Sequence, residues 1–293
     1  MQSYDYQLTV PEEFEQQSLR DYLANFLLIP KHLIFSLRTN YRVLVNGKYL
    51  PMNFSIHHGD LIQLQFLDCD FKNPHPNVIA DDSKPIDVLY EDADLLIINK
   101  PRGVKTHANQ PGESGALLNL AAGYLQPQVP YIIHRLDQET SGVLIMAKSP
   151  AVVPPLTNLI RRKKIKRTYL VWVHGHLKDD SGIITTPIGY DENDQRKRKI
   201  NGFKSKSAIT HYQVLKTTSS ETCLAIQLET GRTHQIRVHL ASLGHPIVND
   251  PLYDETANEA LPMNLHSWKV KLHTPFYQQS LALEAPIPIE MQK

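Results

Sequence analysis

Asp137 stands in the stretch His134-Arg135-Leu136-Asp137-Gln138-Glu139-Thr140-Ser141-Gly142, where a carboxylate lies near a guanidinium and just ahead of a hydroxyl-rich turn broken by glycine. The apolar run Tyr131-Ile132-Ile133 before it reads as a buried strand. The acid would then emerge from a strand end into a turn, a common position for a catalytic group. In extended backbone Arg135 projects to the same side as Asp137, because side chains alternate along a strand. A turn or helix-capping acid explains the same residues without chemistry.

A second constellation lies about a hundred residues later, in Thr230-Gly231-Arg232-Thr233-His234-Gln235-Ile236-Arg237. The segment reads as a turn followed by a helix from Gly231 to Leu243, with Thr230 or Thr233 as its cap and Gly244 closing it. Ile236 and Leu240 share one face at i, i+4, while Thr233, His234 and Arg237 cluster on another. An arginine presented in this way suits a carboxylate or a phosphate, either of which its planar fork can engage at two points. His234, His239 and His245 are spaced by five and six residues. Zinc-binding helices do not use that spacing and no cysteine is near, so no metal site is expected. In a third place, Lys166-Arg167-Thr168-Tyr169, an aromatic ring follows a run of cations. Such a ring can stack on an unpaired base, although a tyrosine in a strand is also an ordinary half-buried residue.

The elements that must position these groups divide the chain. Residues 15–28 have helical apolar spacing at Leu19, Tyr22, Leu23, Phe26 and Leu27, and Pro30 separates them from a second short helix at residues 31–37. Arg42 to Lys48 reads as a strand entering an Asn46-Gly47 turn, a strong hairpin signal. His58-Gly59-Asp60 is a second turn, followed by an alternating strand from Leu61 to Phe66. Residues 73–85 carry prolines and acids with few apolar side chains and read as a linker. Beyond it, strands are expected at 95–98, 143–148, 168–173, 208–215 and 223–229, with a helix over 117–125. Ser149-Pro150 has the signature of a helix start, which Pro154 and Pro155 should delay or kink. Strands and helices interleave without obvious parallel units, so the expected class is α+β with a large mixed, mainly antiparallel sheet.

Composition limits the function classes. No stretch approaches the ~18 apolar residues of a membrane helix, and the start Met1-Gln2-Ser3-Tyr4-Asp5 has no signal-peptide character. Cys69 and Cys223 lie far apart and read as free thiols, so a cytoplasmic protein is expected. The formal net charge is only +1, but residues 161–206 hold thirteen Lys or Arg against five Asp or Glu. That belt suits phosphate contacts whose strength falls with salt, and a solvated lysine-rich loop is the bland alternative. Residues 1–75, by contrast, hold six basic and eight acidic residues.

These motifs, in this order, resemble the RluA-type RNA pseudouridine synthases. Tyr90-Glu91-Asp92 with Asn99-Lys100-Pro101-Arg102-Gly103 is similar to the family's first motif, and His134 to Gly142 to the second, with Asp137 at the catalytic aspartate. Lys166 and Tyr169 fit its K-x-x-Y element. Thr230 to Arg237 fits its last motif, with Arg237 where a partner of the aspartate is expected. Leu265-His266-Ser267-Trp268 and Glu284-Ala285-Pro286 fit its C-terminal pattern. The N-terminal two-helix, two-turn pattern resembles an S4 RNA-binding domain, with Thr39-Asn40-Tyr41 where a glycine is usual; Asn tolerates the left-handed backbone such a turn needs.

The resemblance implies a small S4-like α+β domain at 1–72, a linker at 73–85 and a catalytic domain at 86–293. It implies isomerisation of uridine to pseudouridine in structured RNA, most simply ribosomal RNA of the large subunit and otherwise transfer RNA. No cofactor or metal is needed and a monomer is expected. Asp137, Tyr169 and Arg237 would carry the chemistry, Arg237 keeping the aspartate ionised and Tyr169 stacking on the uracil. Arg135, His134, Thr140, Lys100, Arg232, His234, Lys166, Arg38, Arg42 and Lys48 would contact the RNA. Deleting residues 1–72 should then affect RNA binding more than the remaining fold. Two other classes compete. One is a non-catalytic RNA-binding protein on the same scaffold. The other is a glycosidase, which usually needs a second carboxylate, for which Glu139 is the near candidate.

Overall fold

A computed structural model describes residues 2–72, 77–110, 112–258 and 260–293. Residues 73–76, the first part of the expected linker, lie outside the described residues. The chain starts with a strand that was not expected, β1 (Ser3–Thr9), which turns Tyr6 and Leu8 inward on alternate positions. Ser18 caps α1 (Leu19–Asp21), its hydroxyl accepting from the Asp21 amide at 3.1 Å. The helix then widens instead of running on to residue 28: the Leu27 amide donates to the Tyr22 carbonyl, five residues back, and Leu28 takes φ 59°. Pro30 opens α2 (Lys31–Thr39). The left-handed residue after it is Tyr41, φ 56°, and not Asn40, φ −100°. β2 (Val43–Val45) enters the Asn46-Gly47 turn, where both residues have positive φ, 51° and 78°, as a tight type I′ turn requires. The expected hairpin stops there. Val45 and Lys48 exchange two hydrogen bonds, but the ladder partner of β2 is β3 (Leu61–Leu67), which also pairs with β1.

The remaining elements follow in chain order. They begin with β4 (Val88–Glu91), β5 (Leu95–Lys100), α3 (Leu117–Leu125), β6 (Tyr131–Ile132), β7 (Ser141–Ala147), α4 (Val153–Arg161) and β8 (Lys166–His174). They continue with β9 (Ser181–Ile184), β10 (Ile188–Tyr190), β11 (Arg198–Ile200), β12 (Phe203–Lys206), β13 (Thr210–Thr217), β14 (Glu221–Leu228), α5 (Gln235–Ser242), β15 (Leu265–His273) and β16 (Ser280–Glu284). Ten strands form one sheet in the order β4-β5-β7-β15-β8-β14-β13-β9, with β6 on β7 and β16 on β15. The β7–β15 pair is parallel and the other pairings are antiparallel. The expected mixed, mainly antiparallel sheet is thus observed. β10, β11 and β12 make a separate three-stranded sheet. As expected from the prolines, the Ser149 cap opens a short 3-10 turn at Pro150–Val152, and α4 starts only at Val153.

Both faces of the large sheet are covered, which explains the unbroken apolar run of β5. Leu96 and Ile98 pack with Leu144, Tyr169, Ile226, Ile236 and Leu240 on the face that carries α5. Leu95 and Ile97 pack on the other face, in one cluster with Tyr6, Leu23, Leu33, Phe66, Val270 and Phe276. The N-terminal unit therefore shares a core with the large sheet. The rings of Tyr6 and Phe276 lie 4.4 Å apart, and the Tyr6 hydroxyl donates to buried Asp94 at 2.7 Å while meeting Ser149 Oγ at 3.0 Å. Asn158 of α4 donates to the Leu28 carbonyl at 3.2 Å.

This packing reverses one expectation. Removing residues 1–72 would uncover Phe276, Val270 and Ile97 and strip Asp94 of its phenol partner, so it would harm the remaining fold. A chain beginning at residue 73 is expected to melt about 5 °C or more below the full chain. Equal melting temperatures would refute the shared core.

Candidate active site

Asp137 sits on the loop between β6 and β7, and the loop is clamped on both sides of it. On one side, the Thr106 hydroxyl donates to the Leu136 carbonyl at 2.7 Å and accepts from its amide at 3.2 Å. On the other, Lys100 Nζ donates to the carbonyls of Pro101, Gln138 and Thr140 at 2.9, 3.0 and 2.8 Å. Lys100 is 0% exposed, so it cannot reach RNA as expected from the sequence; it fixes the loop that carries the acid. Burial pulls its pKa down to about 8, against the neighbouring carboxylates of Glu139 and Asp137. Gly142, the second residue of β7, has φ 102°, and a Cβ there would stand 2.2 Å from the Ser267 carbonyl oxygen. Only glycine lets the loop enter the sheet there.

Arg237 approaches from α5. Its Nη1 lies 3.3 Å from Asp137 Oδ2, although the two are 100 residues apart in sequence. Arg237 is held by a residue that sequence reasoning passed over. Asp250, fully buried, accepts from Nε at 2.7 Å and from Nη2 at 2.6 Å in a two-point fork. The same carboxylate accepts from the amides of Leu252 and Tyr253. The sequence offered no signal for Asp250 beyond its being an acid in the turn after the helix.

His234 opens α5 in left-handed conformation, φ 57°, with no side-chain cap. The expected caps, Thr230 and Thr233, do not serve. Instead Gln235 Oε1 accepts from the Arg232 amide and the Thr230 hydroxyl. The Tyr253 hydroxyl accepts from the Arg198 amide at 2.7 Å and meets His234 Nδ1 at 3.0 Å. His234 Nε2 stands 3.8 Å from Asp137 Oδ2. Burial, and then the Arg237 charge, push the His234 pKa down to about 4, so the ring is neutral at physiological pH.

These groups surround a pocket of about 130 Å³ lined by Arg135, Asp137, Thr140, Tyr169, Arg232, His234 and Arg237, with Arg167 beside them. Besides Lys100, five expected contacts do not line it: His134, Lys166, Arg42, Arg38 and Lys48. His134 is turned into the sheet, where its Nε2 accepts from the Ile145 amide at 3.1 Å. Lys166 is exposed at the start of β8 and does not line the pocket. Arg42, expected to meet phosphate, is bound at two points by Asp70, at 2.6 and 2.8 Å, and to Ser36, and is part of the N-terminal fold. Arg38 and Lys48 are exposed on that unit. Glu139, the second acid a glycosidase would need, is bound by Arg102 at 2.8 Å.

Neutral, buried histidines have a consequence for stability. The pKa of His266 is also pushed down to about 4 by burial, and that of His134 well below 6.5 for the same reason. A histidine whose folded pKa is depressed lets the unfolded chain take up a proton that the folded chain refuses, so stability is lost as pH falls below 6.5. The unfolding free energy is expected to drop by about 1 kcal/mol for each of them between pH 7 and pH 5.5, measurable by urea titration. A stability that holds level over that range would contradict the neutral assignments.

Comparison with known proteins bears on both units. Residues 94–242 match the family described as RNA pseudouridylate synthase, and residues 6–62 match the RluD ribosomal pseudouridine synthase N-terminal domain. The Bacillus subtilis RNA pseudouridine synthase YhcT is 33% identical, over 98% of this chain and 95% of its own. Ribosomal large subunit pseudouridine synthase C of Buchnera aphidicola is 31% identical, over 97% and 94%. The structure of human RNA pseudouridylate synthase domain containing 1 superposes with a TM-score of 0.59 at 25% identity, covering 69% of this chain and 83% of that one. Fold and site thus define an RNA-modifying isomerase. The chain belongs to the RluA-type RNA pseudouridine synthase family. No described helix is long and apolar enough to cross a membrane.

Proposed function

We propose that this isomerase converts specific uridines in large-subunit ribosomal RNA, and that Asp137 starts the reaction. The observation that carries the reading is the meeting of Asp137 with Arg237 at 3.3 Å inside a pocket that Tyr169 also lines. The reaction breaks the N1–C1′ bond, turns the base and joins C5 to C1′. Asp137, 26% exposed as a side chain, faces the pocket as the one carboxylate among the described residues that line it. It can attack the sugar, attack the base or take the C2′ proton, and Arg237 balances its charge. Tyr169 offers its ring to the uracil and its hydroxyl to the C5 proton. Arg135, exposed at the mouth, fills the stack that the extracted uridine leaves.

The division of labour follows the sheets: residues 1–72 dock RNA through exposed groups such as Arg38 and Lys48, residues 73–85 connect, and residues 86–293 hold the chemistry. Both cysteines are free, which suits the reducing cytoplasm. Every group named comes from one chain, which supports a monomer. Ribosomal RNA is preferred to transfer RNA because relatives named as ribosomal large subunit pseudouridine synthases C and D match this chain at 31% and 39% identity.

The test is incubation with unmodified ribosomal and transfer RNA, followed by pseudouridine mapping. New pseudouridine in large-subunit RNA is expected. Product in transfer RNA alone would move the substrate, free uracil would indicate a glycosidase, and no change would indicate a binding protein.

A further inference from the structure

The sheet of β10, β11 and β12 stands outside the large sheet and beside the pocket. Ile188 and Ile200 on its inner face pack with Val238 of α5 and with Tyr253. Arg198 lies opposite Tyr190 on one side, and Phe203 lies opposite Tyr190 on the other. Residues directly opposite in a ladder share a face, so the three form a row across the sheet. Tyr190 is 51% exposed and Phe203 53% exposed. Each ring has a cation against it: the Arg198 guanidinium lies 4.3 Å from the Tyr190 centroid, and Lys204 Nζ 5.1 Å from that of Phe203. Residues 188–206 hold six Lys or Arg against three Asp or Glu. Single exposed aromatics need no explanation, but two rings in register, each paired with a cation, make a platform for bases rather than a stray surface.

The row is continuous with the pocket. Arg198 donates its amide to Tyr253, Tyr253 meets His234, and His234 faces Asp137. A cleft of about 580 Å³ opens beside α5, lined by Lys197, Arg198 and Lys199 and also by the acids Asp191, Asp254 and Glu255. We propose that Tyr190 and Phe203 stack on unpaired bases next to the uridine drawn into the pocket, while Lys197, Lys199, Lys204 and Lys206 hold the connecting phosphates. The occupant is a single-stranded RNA segment, because a base in an A-form duplex has no free face to offer. The inference rests on the pocket being the uridine site.

The probe is a short oligouridylate carrying one 2-aminopurine, whose fluorescence is quenched on stacking, with a blunt RNA duplex as control. The full chain is expected to bind the oligonucleotide and quench it. In Tyr190→Ala/Phe203→Ala the quench should be lost and the affinity should fall about tenfold or more. Duplex binding should stay within about twofold, and the slope of affinity against salt should not change, because no phosphate contact is removed. Tyr190→Phe/Phe203→Tyr keeps both faces and should restore quench and affinity. Unchanged affinity or quench in the alanine pair, or an equal loss on the duplex, would overturn the proposal. Pseudouridine formation by the unaltered chain on ribosomal RNA is measured separately, so failure of the platform and failure of the uridine site are told apart.

Discussion

Asp137→Asn is expected to abolish pseudouridine formation while leaving RNA affinity within a few-fold. The amide keeps the shape of the carboxylate but loses the charge and the lone-pair basicity that attack or proton removal requires. The rate should therefore fall by about a thousandfold or more. The fold should tolerate the change, because Arg237 keeps its two-point pairing with Asp250. Among the described residues the nearby acid Glu139 is no substitute: it is bound by Arg102 and does not line the pocket. Quantitative mapping of product in RNA treated with each protein decides the matter, and a variant as active as the unaltered chain would end the assignment of Asp137.

Asp250→Ala should be the most damaging single change to stability near the site. Asp250 is 0% exposed and neutralises a guanidinium that is itself buried. Removing it leaves Arg237 with the longer contact to Asp137 and the face of the Tyr253 ring, and leaves the amides of Leu252 and Tyr253 without their acceptor. An uncompensated buried charge costs about 3–5 kcal/mol. Activity of the folded fraction should fall too, because Arg237 would no longer be held and Tyr253 orients His234. Urea unfolding and single-turnover rates measure the two effects. A loss below about 1 kcal/mol with full activity would show that the pair is dispensable.

The two substitutions differ in how far they could be foreseen. Asp137 was legible only in company: its neighbours alone suit a turn or capping acid, and the later Tyr169 and Arg237 motifs, in the order of the family, singled it out. Tyr169 and Arg237 were legible as a ring after cations and an arginine at the start of a helix. Asp250 carries no such local mark. Lys100 was given an RNA contact only through its place in the motif that resembles the family's first. In the folded chain three carbonyls converge on it from its own segment and from residues 138 and 140. Arg42 failed in the same way, since Asp70 reaches it only when the N-terminal sheet has closed.

The backbone divides along the same line. Several signals that act within a few residues held: the Asn46-Gly47 turn, the Ser149 cap, α3 and the apolar β5. Those that depend on a distant partner did not. The strand partner of β2 is β3 rather than the segment after the turn. β1 is a strand because β3 offers it an edge. The sequence by itself determined the class of the sheet, many of the local elements and the acid, arginine and ring proposed to carry the reaction, because residue type and short spacing set backbone preference and chemical capacity. The tertiary structure alone decided which cations face solvent and which are neutralised inside. It also decided that the N-terminal unit shares a core with the catalytic one, and that Tyr190, Phe203 and Arg198 form one row. Those outcomes depend on distances between residues far apart in the chain, and on how much water remains around each charge once the sheets have packed.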